Sequence, residues 1–346
     1  MHGPHNGDPN DARSRRQRWH ARRVAMEARP AGRKWRGHAR GQLYRTAHHV
    51  HNLFRPTRLF RWGAARALGL EMTELTVSQP DLPRAFDGYR ILHLTDLHLD
   101  NLVDTAAVLA DRIAGVDTDL CVITGDIRDN IHAPLEPLIG RLNHVVSAVR
   151  AKDGVLGVLG NHDSAAMVLP MEGLGIRVLL NETVSFERGA DMLHVTGLDD
   201  VNRFETEAAH AALASAPEGF CVALVHSPEV AARAAAGHRL YLTGHTHGGQ
   251  ICLPSRRPFA TGLKRHRDLA SGVWRYGDMV GYTSRGVGAC VIPFRLYCPG
   301  EIVLLTLRRG PDAVSVGPSS PVERGSRAAS AASAERKPRS GRRPAR

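Results

Sequence analysis

Residues 90–98, Arg90-Ile91-Leu92-His93-Leu94-Thr95-Asp96-Leu97-His98, read as a short apolar strand that ends in Asp-x-His. Such an ending sets a carboxylate and an imidazole on the same side of the chain, at the carboxyl edge of the strand, where α/β sheets place their ligands. The pattern recurs. Leu120-Cys121-Val122-Ile123-Thr124 ends in Gly125-Asp126, with Asp129 three residues on, and the run at 155–159 ends in Gly160-Asn161-His162-Asp163. The run at 222–225 ends in His226, and that at 240–243 ends in Gly244-His245-Thr246-His247-Gly248-Gly249. Taken singly, each has an ordinary explanation: Gly-Asp after a strand is commonly a turn, and a lone strand-end histidine is commonly satisfied by its neighbours. Five apolar strands that all end in oxygen and nitrogen donors, often behind a glycine that permits close backbone approach, need a shared explanation.

Outward from these runs lie further β-branched stretches at 73–78, 176–180, 192–197, 279–283 and 301–307. Helix-like stretches at 104–114, 134–150, 163–173, 204–214 and 228–236 alternate with them. The alternation predicts an α/β fold, and the strand-rich later half predicts two packed sheets. The chain divides by charge. Its formal net charge is +12, yet residues 1–70 hold 16 Lys/Arg against 3 Asp/Glu, residues 311–346 hold 8 against 3, and residues 71–310 hold 22 against 28. Residues 1–40 are therefore expected to be a disordered basic segment, 71–310 the folded body, and 311–346 a disordered basic tail. Residues 41–70 interleave Leu43, Leu53, Phe54, Phe60, Trp62 and Leu68 with arginines. This is a basic amphipathic stretch suited either to a membrane interface or to packing on the body.

No apolar run approaches the roughly 18 residues of a spanning helix, which argues against an integral membrane protein. Arg15-Arg16 lacks the apolar segment of an export signal, and five cysteines without a CxxC pair point to a reducing compartment. The expected location is cytoplasmic, peripheral on the inner face of the cell membrane.

Asp96, His98, Asp126, Asn161, His226, His245 and His247 supply seven donors. Imidazole and carboxylate without thiolate suit Mn, Fe or Zn. Seven ligands exceed the needs of one ion with an open position, whereas two ions sharing a carboxylate would use them all. A two-metal site points to phosphoester hydrolysis, leaving monoester, diester and pyrophosphate open.

The order Asp-x-His, Gly-Asp-x-x-Asp, Gly-Asn-His-Asp, His, Gly-His-x-His resembles the calcineurin-like metallophosphoesterase superfamily over residues 94 to 249. The resemblance implies a four-layer α/β/β/α double β-sandwich with flanking helices and two divalent ions. It implies Asp96, His98 and His247 on the first ion, Asp126 as the bridge, and Asn161, His226 and His245 on the second. His162 would be the acid or charge stabiliser near the leaving group, with Asp163 orienting its imidazole. Val225 departs from the small residue many relatives carry there. A narrower likeness, in Val225-His226-Ser227-Pro228-Glu229, in residues 283–288 and in Ile292-Pro293-Phe294-Arg295, is to small bacterial membrane-associated phosphodiesterases similar to UDP-2,3-diacylglucosamine hydrolases. The expected reaction is hydrolysis of a phosphodiester or pyrophosphate by in-line attack of a metal-bridging hydroxide, on a lipid-linked nucleotide such as UDP-2,3-diacylglucosamine. Arg285 and Arg295 would bind a second phosphate. The expected partners are the phosphoester and an anionic membrane surface met through residues 41–70.

Two alternatives stand beside this. A nuclease or cyclic-nucleotide phosphodiesterase of the same superfamily would suit the basic ends, but nucleic acid is not the expected partner because the body is acidic. A catalytically dead binding protein on this fold would have lost ligands, and all seven are present, with His162.

Overall fold

The structure is a computed structural model and describes residues 9–29, 57–263 and 266–317. The first half of the body contributes β1 (Glu71–Gln79), β2 (Arg90–Leu94), β3 (Asp117–Thr118), β4 (Leu120–Thr124), β5 (Arg150–Ala151), β6 (Val155–Val158) and β7 (Ile176–Val178). The second contributes β8 (Glu182–Arg188), β9 (Asp191–Gly197), β10 (Phe220–Leu224), β11 (Leu240–Thr243), β12 (Gly272–Tyr276), β13 (Met279–Thr283), β14 (Glu301–Arg309) and β15 (Ala313–Val316). One sheet runs β15-β1-β14-β2-β4-β6-β7 and the other β12-β13-β11-β10-β9-β8, with β3 and β5 forming a small pair. Within the first sheet β2, β4, β6 and β7 are parallel, and within the second β9, β10, β11 and β13 are parallel.

Alternation along the strands builds the layers. In the first sheet Ile91, Val122, Leu156 and Val303 face the second sheet, where Val195, Val222, Leu242 and Val280 meet them. The intervening residues Leu92, Leu94, Cys121 and Ile123 face outward onto Leu109 and Ile113 of helix Thr105–Ile113 and Leu138, Leu142 and Val145 of helix Leu135–Ala148. On the far side, Ala223 and Tyr241 face Ala209 and Leu213 of helix Glu207–Ala214 and Ala231 and Ala234 of helix Ala231–Ala234. The result is the expected α/β/β/α stack. Its two parallel cores place their carboxyl ends beside one another.

The termini depart from expectation. Residues 9–27 form a helix, not the disordered segment expected for 1–40. Its docking face is mostly polar: Arg16, Trp19, Arg23 and Glu27 fall on one side at helical spacing and contact the body, and of these Trp19 alone packs on the apolar core, so no apolar period announces it. Residues 41–56 lie outside the described residues. The rest of the amphipathic stretch forms helix Arg58–Ala67, capped by the Thr57 hydroxyl accepting from Phe60 N–H at 3.1 Å. Gly63 abuts the Phe294 ring, and Ala67 and Leu70 are buried, so this part packs on the body. At the other end β15 pairs antiparallel with β1, Leu75 opposite Val316, carrying the sheet past the expected boundary at 310. The tail from 318 on lies outside the described residues. No described helix is long and apolar enough to cross a membrane.

Candidate metal centre

Each expected ligand follows a parallel strand by two to four residues: Asp96 and His98 follow β2, Asp126 follows β4, Asn161 follows β6, His226 follows β10, and His245 and His247 follow β11. Asp96, His98, Asp126, His245 and His247 all have positive φ, between 40° and 72°. Such a conformation costs a non-glycine residue about 1–3 kcal/mol and persists only where surroundings enforce it. Two glycines supply the closeness. A Cβ on Gly160 would lie 2.1 Å from Asp126 Oδ1, and one on Gly244 would lie 2.2 Å from Asp96 Oδ2.

The loops bring six of the seven expected ligands into two groups of donors. In the first, His98 Nε2 is 3.2 Å from His247 Nε2, which is 3.3 Å from Asp96 Oδ1. In the second, His226 Nε2 is 3.1 Å from Asp126 Oδ2 and 3.2 Å from His245 Nδ1. Asp126 Oδ2 also lies 4.0 Å from His98 Nε2 and so stands between the groups. Atoms bound to one cation at roughly 2.0–2.2 Å must themselves sit about 3–4 Å apart, as these do. Asn161, the seventh, lies on the loop that wraps Asp126, and its buried Oδ1 has no hydrogen-bond partner. An orphaned buried acceptor costs about 1–3 kcal/mol unless something satisfies it, and a cation would. The donor set therefore fits divalent metal.

The charges are mutually dependent. Burial alone would raise the Asp126 carboxyl, but the imidazoles of His226 and His162 hold it well below the usual range. Burial opposes charge on His226 too, yet Asp126 and Asp96 lift it to about 10. Burial, then crowding by His98 and Arg295, pushes His247 well down, while burial and then Asp126 push Asp96 up, against the pull of His226.

Surrounding groups fix the ring nitrogens. His226 Nδ1 is 2.8 Å from the Thr124 carbonyl, leaving Nε2 for the centre, and Asn202 Nδ2 is 2.6 Å from His245 Nε2. Asp129 supports two histidines: its Oδ1 is 3.5 Å from His98 Nδ1, and its carbonyl is 2.5 Å from His162 Nδ1. Burial disfavours a charged His162, but Asp126 and Asp129 override it and raise its pKa. Cys290 Sγ lies 3.7 Å from His162 Nε2, with its thiol pushed well up by burial and then by Asp129.

Three of the expected site residues have partners other than those expected. Asp163 does not orient His162; its fully buried carboxylate accepts from the N–H groups of Gly160 (2.8 Å), Asp126 (2.8 Å) and Ile127 (2.9 Å), tying two ligand loops together. Arg295 is fully buried and donates to the carbonyls of Gly288 (2.9 Å), Arg285 (2.8 Å), Gly286 (3.1 Å) and Cys298 (3.2 Å), with its NH2 3.4 Å from His247 Nδ1, so its hydrogen bonds serve backbone carbonyls and the back of a ligand histidine. Arg285 is paired with Glu71 and Glu301, each at 3.1 Å. The Gly-Asp-x-x-Asp spacing already marked Asp129; nothing in the sequence marked Asn202.

A four-layer sandwich with a histidine and carboxylate centre at the strand ends defines a phosphoric ester hydrolase of the metal-dependent kind. Comparison with known proteins agrees: the Calcineurin-like phosphoesterase family profile matches residues 89–249. Among relatives, an uncharacterized metallophosphoesterase of Bacillus subtilis (strain 168), YkuE, is 32% identical over 266 residues, covering 71% of this chain and 90% of its own length. A second from that organism, YkoQ, is 28% identical over 246 residues, covering 67% and 88%. Phosphodiesterase YaeI of Escherichia coli (strain K12) is 26% identical over 231 residues, covering 63% and 82%. The chain belongs to the calcineurin-like phosphoesterase family.

Proposed function

We propose that this protein hydrolyses a phosphodiester or pyrophosphate at a dinuclear centre. Asp96, His98 and His247 would hold one ion, Asn161, His226 and His245 the other, and Asp126 both. The observation that carries this reading is the pair of donor groups joined through Asp126. Manganese, iron and zinc all suit the donors. When bound, two such ions neutralise phosphoryl charge and acidify a water. The protein's own part is to hold Asp126 ionised, to present His226 by the nitrogen the Thr124 carbonyl leaves free, and, through Asp126 and Asp129, to favour the charged form of His162 against its burial. With Nδ1 donating to the Asp129 carbonyl, Nε2 is the nitrogen from which the charged form of His162 would give its proton to a departing oxygen.

Hydrolysis of a series of diesters with leaving groups of increasing pKa tests this role. His162→Ala should lose about 10²–10⁴-fold on an alkyl leaving group and far less on p-nitrophenol, with metal content unchanged. Equal loss across the series, or loss of both metals, refutes it.

The finer substrate reading is a lipid-linked phosphodiester or pyrophosphate, with UDP-2,3-diacylglucosamine the first compound to try. Besides the motif likeness, it is supported by a loop beside the centre. Leu253 and Phe259, 44% and 69% exposed, flank exposed Arg256 and Arg257 in a body that is otherwise acidic. The loop packs on Gly249 through Pro258, and Gly262 lies next to His245 Nε2. Apolar tips between cations suit an anionic lipid surface. Phe259→Ser with Leu253→Ser should slow turnover of the lipid-borne substrate and spare a soluble diester; equal effects on both would refute it.

A further inference from the structure

Helix Pro9–Glu27 lies outside the segment that the family profile matches, yet it reaches the back of the metal centre. Arg23, four residues before its carboxyl end, is 1% exposed. Its NH2 donates to the Asp163 carbonyl at 2.8 Å and to the Gly160 carbonyl at 3.3 Å. Those two carbonyls bracket Asn161 and His162. The other side of the guanidinium pairs with Asp199, and Nε donates to Glu27 at 3.1 Å. The guanidinium also lies over the Phe204 ring, 3.6 Å from its centre.

The Asp199 contact extends to a second loop. Trp19 Nε1 donates to Asp199 Oδ2 at 2.8 Å, and Asp199 Oδ1 accepts from Asp200 N–H at 2.8 Å. The Asp200 carboxylate then gathers the N–H groups of Asn202 (3.1 Å) and Arg203 (2.6 Å). Asn202 is the residue set against His245 Nε2. One buried guanidinium thus fastens the loop of Asn161 and His162 to the loop behind His245, from outside the family domain. Only arginine can do this, because its planar fork serves a carboxylate and two carbonyls at once.

We infer that Arg23 is a positioning residue for the second metal site, and that the N-terminal helix is part of the functional unit. The inference rests on the dinuclear reading above and adds a residue that no motif contains. It predicts that Arg23→Met, in the full-length protein, weakens binding of one of two manganese ions by about 10–100-fold and leaves the other unchanged, as loss of a group supporting metal ligands does. Equilibrium titration of metal-free protein with manganese, followed by the spin resonance signal of the free ion, reads both affinities without any assay of turnover. Arg16→Ala is the control, since Arg16 holds the same helix through Glu172 and the Val178 carbonyl and touches neither loop. It should bind both ions as the unaltered protein does.

Two wild-type affinities in Arg23→Met, or an equal weakening in Arg16→Ala, overturns the inference. Should Arg23→Met not fold, Arg23→Lys serves: it keeps a cation facing Asp199 but cannot span both carbonyls, and it should show the same selective weakening. A single ion on the unaltered protein would instead overturn the dinuclear reading, and with it this inference.

Discussion

Replacing Asp163 tests whether one buried carboxylate holds two ligand loops together. In Asp163→Ala the N–H groups of Gly160, Asp126 and Ile127 lose the acceptors now 2.8, 2.8 and 2.9 Å away. Each orphaned buried donor costs about 1–3 kcal/mol, so the loss is about 3–9 kcal/mol, against a total stability of about 5–15 kcal/mol for an ordinary protein. Asp163→Asn is the finer probe. Oδ2 now serves Asp126 and Gly160, and an amide oxygen can keep both. The amide NH2 then meets Ile127 N–H, donor against donor. Burial, which pushes the Asp163 carboxyl up, is relieved in the amide and offsets part of the cost. The net expectation is about 1–3 kcal/mol from the urea midpoint and slope followed by tryptophan fluorescence. Metal affinity should fall alongside by about 10–100-fold. An asparagine variant with unchanged stability and unchanged metal affinity would refute the tie between the loops.

Two further outcomes follow from buried groups. His93 is fully buried against the Thr124 hydroxyl at 2.8 Å, and burial lowers its pKa from 6.5 to about 4, so the fold binds fewer protons there than the unfolded chain. Its contribution is intact above pH 6.5 and lost progressively as pH falls to about 4, amounting to about 3 kcal/mol. Stability curves of the unaltered protein and His93→Gln should converge over that window, and parallel curves would contradict it. Arg295→Lys should lower stability by at least about 2 kcal/mol by stranding buried carbonyls, with KM for a soluble diester little changed. A raised KM at unchanged stability would restore the substrate-binding role that its burial argues against.

The parts of this protein legible from sequence are those written in apolar periodicity and in donor residues at strand ends. β2, β4, β6, β10 and β11 are buried strands whose apolar runs stop where the donors begin, so strand and site announce each other. β8, β12 and β15 were not legible because they lie at sheet edges, where a half-exposed strand such as Glu182–Arg188 needs few apolar residues. The N-terminal helix was hidden for a related reason: arginine, tryptophan and glutamate make its contacts, and a polar docking face has the composition of a solvated one. Asp163 and Arg295 were recognisable as conspicuous charged residues, but their partners are backbone groups. Which N–H or carbonyl a charged side chain serves depends on how loops from distant strands meet, and no spacing within one motif encodes that.

The central claim is two ions and phosphodiester hydrolysis at one centre. Metal-free protein reconstituted with manganese, desalted, and divided between elemental analysis and hydrolysis of bis-p-nitrophenyl phosphate measures both on one sample, with Asp126→Asn treated in parallel. The account predicts about two ions per chain with turnover of the diester, and loss of both together in the variant, whose shared carboxylate joins the two donor groups. A protein that binds no metal, or an Asp126→Asn variant that keeps two ions and full turnover, would contradict it.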